Sequence, residues 1–248
     1  MELLPKETLA QRFSQNSYLT TFTVPEEFRP SKEVLNLYIE AAKRAESTIK
    51  IFGKEIKPKR DFLALDSYNF SRSLHEGRKI EDGGWVEKIL SFLNEEFRRK
   101  DDPVFNGTLV NVYTPDAAIG MHSDNEKDLF PNSSVVGISF YVGHEGPSQC
   151  YERIIKFSKK KEEKKSKKEE ALPLPKTKKE NVEYPPRKRA QAFLPILKNS
   201  FADSFNLKLE NNKGYIMRGA FQKELTHKID PEKRKNGIRI SFTFRCFK

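Results

Sequence analysis

The sequence predicts an α+β chain whose larger part is an antiparallel β sandwich or jelly roll. Two amphipathic helical periods fall within the first 100 residues. From residue 105 onward the texture changes to short alternating segments split by turns, the pattern of many strands in succession. A long Lys- and Pro-rich segment then interrupts those strands, as an insertion between them.

The elements follow in order. Ser31 can cap a helix over roughly 32–47, with Leu35, Ile39 and Ala42 on one face. A second helix fits about 84–99, where Val86, Ile89, Leu90, Leu93 and Phe97 keep the 3.6-residue period. Between them, Phe62 to Phe70 reads as strand and turn. The later strands are expected at Thr108–Tyr113, Val135–Val142, Phe205–Leu209, Tyr215–Arg218 and Ile238–Phe247. No internal repeat and no Gly-rich phosphate loop occurs.

Composition excludes several classes. No apolar run of the 248 residues approaches the ~20 that a membrane helix needs. Met1-Glu-Leu-Leu-Pro-Lys lacks the apolar block of a signal peptide. Cys150 and Cys246 are too few for a disulfide scaffold and too far apart for a Cys-x-x-Cys site, so a reducing intracellular setting is expected. Only 36% of residues are hydrophobic, yet 19 Phe, 8 Tyr and 1 Trp suffice to build a core.

The net charge of +11 is mostly local. Residues 156–190 hold 14 basic and 6 acidic residues, which is +8 of the total. With Pro173, Pro175, Pro185 and Pro186, this stretch cannot bury enough apolar surface to offset ordering entropy, so it reads as a disordered or partly helical insertion. It is a solvated loop, a nucleic-acid tether or, around Pro186-Arg-Lys-Arg, a nuclear-import signal.

The chain has four histidines. In Met121-His122-Ser123-Asp124, residues i and i+2 of an extended strand point the same way. His122 and Asp124 can therefore offer an imidazole and a carboxylate to one ion. A third ligand from elsewhere would complete a set of two His and one carboxylate, which favours non-haem Fe(II). The last strand, Gly237-Ile-Arg-Ile-Ser-Phe-Thr-Phe-Arg-Cys-Phe, alternates. Ile238, Ile240, Phe242 and Phe244 face one way, and Arg239, Ser241, Thr243 and Arg245 the other. The polar face is either solvated or turned inward. If inward, its two arginines need anionic partners, and their forks suit one small dicarboxylate. Leu109, Asn111 and Tyr113 likewise share a face.

Taken together, Phe105-Asn-Gly-Thr-Leu-Val-Asn-Val-Tyr, His122-Ser-Asp-Asn-Glu, His227 and Arg239-x5-Arg245 resemble the AlkB family. These are Fe(II)- and 2-oxoglutarate-dependent dioxygenases that dealkylate nucleic-acid bases. The resemblance covers about residues 58–145 and 200–248, and includes Gly214-Tyr-Ile-Met-Arg-Gly as the strand before the distal histidine. It implies a double-stranded β-helix (jelly-roll) core with N-terminal helices and a Lys-rich insertion. The expected organisation is an N-terminal helical extension (1–57), a nucleotide lid with the first part of the core (58–155), the insertion (156–190) and the remainder of the core (191–248).

Residue by residue, the resemblance implies His122, Asp124 and His227 as iron ligands. It implies Asn111, Tyr113, Arg239, Ser241 and Arg245 as 2-oxoglutarate contacts. It implies Glu126 and the lid segment Tyr68, Asn69 and Phe70 as contacts to the target base. O2 would be the oxidant, and succinate, CO2 and formaldehyde the products. Methylated DNA or RNA, with single strands favoured, would be the partner of a monomeric enzyme in nucleus or cytoplasm. Cationic bases such as 1-methyladenine and 3-methylcytosine suit a carboxylate and aromatic faces. For Glu126 the alternative is a surface acid, and for Tyr68 and Phe70 a place in the core. Two other readings remain: the same chemistry on a non-nucleic-acid substrate, or a basic nucleic-acid-binding module without turnover. The His122 to His227 separation of 105 residues is longer than usual in the family, and Gly143-His-Glu-Gly-Pro-Ser-Gln-Cys departs from its pattern.

Overall fold

The computed structural model describes residues 3–51, 53–70, 73–143, 152–160, 201–232 and 237–248, with the backbone alone at positions 51 and 70. The chain opens with strands β1 (Thr8–Arg12) and β2 (Ser17–Thr23), then helix α1 (Lys32–Ala45). Hairpin strands β3 (Ile49–Ile51) and β4 (Lys54–Ile56) precede β5 (Asp61–Ala64), the hairpin β6 (Tyr68–Phe70) and β7 (Ser73–His75), and helix α2 (Trp85–Phe97). The core strands are β8 (Gly107–Tyr113), β9 (Ile119–His122), β10 (Val135–Val142), β11 (Arg153–Lys159), β12 (Ser204–Leu209) and β13 (Lys213–Gly219). A one-turn helix α3 (Phe221–Glu224) leads to β14 (Leu225–Ile229), and β15 (Ile238–Arg245) closes the chain.

Seven strands form the major sheet in the order β1-β2-β13-β10-β15-β8-β5, and four form the minor sheet in the order β12-β11-β14-β9. Every pairing is antiparallel. Strand β15 shows how the layers arise. Its apolar residues Ile240, Phe242 and Phe244 join Val110, Val136 and Phe140 against Leu35, Tyr38 and Ile39 of α1 and Ile89 and Leu93 of α2. The other face of the major sheet supplies Tyr113, Val135, Tyr215 and Met217, which pack on Ile155, Phe157 and Ile229 of the minor sheet. The result is helices, major sheet, minor sheet: a sandwich with one face covered. Each large apolar side chain so buried contributes roughly 1.5–3 kcal/mol.

The two helices start as their sequences predict. Ser31 Oγ accepts a hydrogen bond from Val34 N, and Glu46 ends α1 in the left-handed region at φ 46°. Asp82, two residues before the N-cap Gly84, braces the start of α2, accepting from Gly84 N at 2.9 Å and Val86 N at 3.0 Å, and also from the Tyr38 hydroxyl at 2.6 Å. One buried carboxylate thus ties the start of α2 to α1.

Two expectations need correction. The N-terminal extension is not purely helical: β1 and β2 add an edge to the major sheet, because Tyr18, Leu19, Phe22 and Val24 bury their side chains against it. The Lys/Pro-rich segment does not begin at 156. Residues 156–159 continue β11, whose Ile155 and Phe157 point into the core while Lys156 and Ser158 alternate outward. Residues 161–200, which hold most of the basic run, lie outside the described residues, as do His144, Cys150 and Lys233-Arg234-Lys235. Among the described residues, no helix is long and apolar enough to cross a membrane.

Candidate active site

The site lies between the sheets. Strand register brings its parts together. His227 on β14 pairs directly across from His122 on β9, so two histidines 105 residues apart become neighbours with ring centroids 4.2 Å apart. Asp124, two residues beyond His122, turns its carboxylate to the same point. One ligand atom from each of His122, Asp124 and His227 lies within 4.8 Å of the other two.

Hydrogen bonds hold two of the three ligands, while His227 Nδ1 is buried without a partner among the described residues. His122 Nδ1 lies 2.9 Å from the Gly120 carbonyl, which leaves Nε2 for a metal. Asp124 has its Oδ1 taken by Arg245 Nη2 at 2.5 Å, while Oδ2 stands 3.6 Å from His227 Nε2. The Asp124 amide donates to Gln222 Oε1 at 2.8 Å, fixing the backbone from α3. Burial lowers the pKa of His122, and burial and the neighbouring His122 push His227 down to about 3. Both rings are therefore neutral near pH 7 and ready to ligate. Burial alone would raise the Asp124 pKa, but the charge and hydrogen bond of Arg245 outweigh it and hold the group ionised.

The major sheet supplies the opposite wall. Register pairs Arg239 with Tyr113, and Ser241 with Asn111, across β15 and β8. The polar face of β15 is turned inward rather than solvated: Arg239 is 1% exposed and Arg245 4%. The two arginines are not equivalent. Arg245 is engaged by Asp124 and by the Tyr68 hydroxyl at 3.2 Å. Arg239 is held by the hydroxyls of Ser139 and Ser241 at 3.0–3.1 Å and lies over the Tyr113 ring. Its Nη1 is buried without a partner among the described residues. An unpaired buried guanidinium donor is costly, and a carboxylate would relieve it.

A family profile for the 2OG-Fe(II) oxygenase superfamily matches residues 27–245. The chain belongs to that superfamily. It is accordingly a dioxygenase using Fe(II), 2-oxoglutarate and O2, and the residues present fit those groups. Two neutral imidazoles and one carboxylate are the oxygenase donor set for Fe(II), and the orphaned Arg239 donor suits an acid such as 2-oxoglutarate. A solved structure of OsALKBH1 aligns with this oxygenase at 13% identity and a TM-score of 0.47, covering 96% of this chain and 99% of that chain. No curated protein matches the sequence.

Outside the metal cavity lies a larger one, about 1090 Å³, which shares His122, Ile119 and Arg60 with it. Glu126, Asn69 and Asp128 line this outer cavity, with Lys57, Lys59 and Lys127. Burial pushes the Glu126 carboxyl up to about 7, with Arg245 acting against that shift. Asn69 is fixed by Asp128, whose Oδ2 accepts from Asn69 N at 2.7 Å and Nδ2 at 2.9 Å.

The lid expectation divides. Tyr68 is 3% exposed, packs with Phe62, Ala64 and Leu109, and lines neither cavity. It occupies the core alternative, beneath Arg245. The Phe70 side chain lies outside the described residues. His75 sits apart from the metal cavity, its ring 5.2 Å from Phe62.

Three residues of the site were not anticipated. Arg60 reads in sequence as part of a surface run, Lys57-Pro-Lys-Arg. Gln222 lies in a one-turn helix with no motif. Tyr215 shows in sequence only as part of a strand; it lies across Gly137, where an added Cβ would come within 2.3 Å of its ring. A glycine facing an aromatic across two strands is the one signal that hints at it.

Proposed function

We propose that this oxygenase is of the AlkB type and oxidatively demethylates N-alkylated bases, such as 1-methyladenine and 3-methylcytosine, in DNA or RNA. The observation that carries the reading is the outer cavity, which reaches the metal triad at His122 and places an acid, Glu126, among lysines. A cavity of about 1090 Å³ accommodates a base turned out of its strand. Lys57, Lys59 and Lys127 suit the phosphates on either side, and Glu126 suits a cationic base. We infer a monomer that favours single strands, in nucleus or cytoplasm.

The bound iron, 2-oxoglutarate and O2 supply the oxidising power, with succinate, CO2 and formaldehyde as products. The protein's part is geometric. His122, Asp124 and His227 would hold the metal. Arg245 keeps Asp124 ionised and takes Oδ1, so Oδ2 is presented inward. Arg239, steadied by Ser139 and Ser241, anchors a carboxylate of 2-oxoglutarate, and Asn111 and Tyr113 flank it. Glu126 would orient the base toward His122 and the metal triad. Asn69, fixed by Asp128, borders the same cavity.

The test is incubation of the full chain with Fe(II), ascorbate, 2-oxoglutarate and an oligonucleotide bearing one methylated base, on matched DNA and RNA. The product should lose the mass of one methylene, and His122→Ala should abolish the loss. Succinate released without a change in the base would point to another substrate. Tight binding without turnover would point to a binding module.

A further inference from the structure

Arg60 sits where the two cavities meet, 7% exposed, and its Nε donates to Oδ1 of Asn111 at 2.7 Å. The contact follows from register. Phe62 of β5 is the partner of Asn111 on β8, and Arg60, two residues earlier, is its diagonal neighbour on the same face. A guanidinium has donors and no acceptor, so it can bond only the oxygen of the amide. The contact therefore decides which way the Asn111 side chain is turned. Oδ1 is committed to Arg60, and Nδ2 has no partner among the described residues, in a side chain that lines the metal cavity.

An asparagine amide rotates readily about its last torsion, and its two ends are nearly the same shape. Their chemistry is opposite. Turned one way the amide offers two N–H donors to a carboxylate, and turned the other way it sets a carbonyl oxygen against it. Nothing else on the described residues selects between them, since Oδ1 has no second donor.

We propose that Arg60 is a positioning residue for the co-substrate: by holding Oδ1 of Asn111, it keeps the amide nitrogen facing the metal cavity as a donor to a carboxylate of 2-oxoglutarate. This rests on Asn111 being a co-substrate contact. Arg60 acts through Asn111 and not by contacting the anion itself.

The experiment is equilibrium dialysis of labelled 2-oxoglutarate against the Mn(II)-loaded full chain, with Mn(II) affinity measured alongside. Arg60→Met removes the donor. Arg60→Gln removes the charge but sets an amide nitrogen where Nε stood. Arg60→Met should weaken 2-oxoglutarate binding about tenfold with Mn(II) affinity unchanged. Arg60→Gln should stay within about threefold of the parent, since it restores the donor to Asn111. Asn111→Ala should also weaken binding, and adding Arg60→Met to it should cost nothing more, because the two act as one unit. Additive losses, an Arg60→Gln as weak as Arg60→Met, or no effect of Arg60→Met would each overturn the proposal while leaving Asn111 a contact. An Asn111→Ala with full affinity would instead remove the contact on which the proposal rests, and the proposal with it. If Arg60→Met does not fold, Arg60→Gln still decides: retained affinity without the charge supports the proposal, and a tenfold loss overturns it.

Discussion

Arg245 and Asp124 form a buried ion pair in which Nη2 donates to Oδ1 at 2.5 Å, with the two side chains 4% and 2% exposed. The pair joins the last strand of the major sheet to the loop after β9. It couples the wall expected to hold 2-oxoglutarate to the carboxylate expected to hold iron.

Breaking that pair leaves a buried carboxylate with no cationic partner. Arg245→Met should destabilise the metal-free protein by about 3–5 kcal/mol in urea unfolding at neutral pH. The loss should shrink as pH falls below the ordinary aspartate value of 3.8, where Asp124 protonates in the unfolded chain while Arg245 still holds it ionised in the folded protein. An equal loss at pH 7 and pH 3 would show that the arginine serves packing alone.

Gln222 reaches the site through a single bond, to the Asp124 amide. Gln222→Leu keeps the volume and removes that acceptor. Fe(II) affinity measured anaerobically should fall about tenfold, and the melting temperature by several degrees, as the buried Asp124 amide loses its acceptor. An unaltered affinity would separate α3 from the metal centre.

Arg239 should matter to the keto acid and not to the metal. Arg239→Gln should weaken 2-oxoglutarate binding by about two orders of magnitude, the cost of losing a charge-assisted bond in a dry site. Fe(II) uptake should be unchanged. Loss of both together would mean the strand itself had shifted.

Glu126 gives a pH dependence of definite sign. Its folded pKa, about 7, lies above the ordinary carboxyl value of 4.5. The folded state therefore binds more protons than the unfolded state between those values, and Glu126 costs stability increasingly as pH rises from 4.5 to 7. Glu126→Gln should stabilise the metal-free protein by up to about 3 kcal/mol near pH 8 and by almost nothing near pH 4. Thermal melts across that range check it. A gain that grew toward acid would have the wrong sign.

How much of this was legible beforehand depends on what each residue's signal is made of. The alternation of β15 was visible in the sequence, as were both helix periods, since burial on one face writes itself at a fixed spacing. Whether the polar face of β15 met water or the interior was not visible. That follows from the minor sheet covering it, which no local pattern records. His122 and Asp124 share a local spacing; His227 has none, and its register with His122 depends on a pairing across 105 residues. Tyr68 reads equally as lid or core because an aromatic at a strand start suits both. Arg60, in Lys57-Pro-Lys-Arg, carries no local signal of burial, and only its place diagonal to Asn111 turns it inward. The strands β1 and β2 are short and mixed in polarity, and their membership of the sheet is set by β13, some 200 residues later.

The most direct test of the whole account is anaerobic equilibrium dialysis of the metal-free full chain against Fe(II). The account predicts one iron per chain for the parent protein and none retained by His227→Ala or Asp124→Ala under the same conditions. Uptake that persists in both variants, or no uptake by the parent, would contradict it.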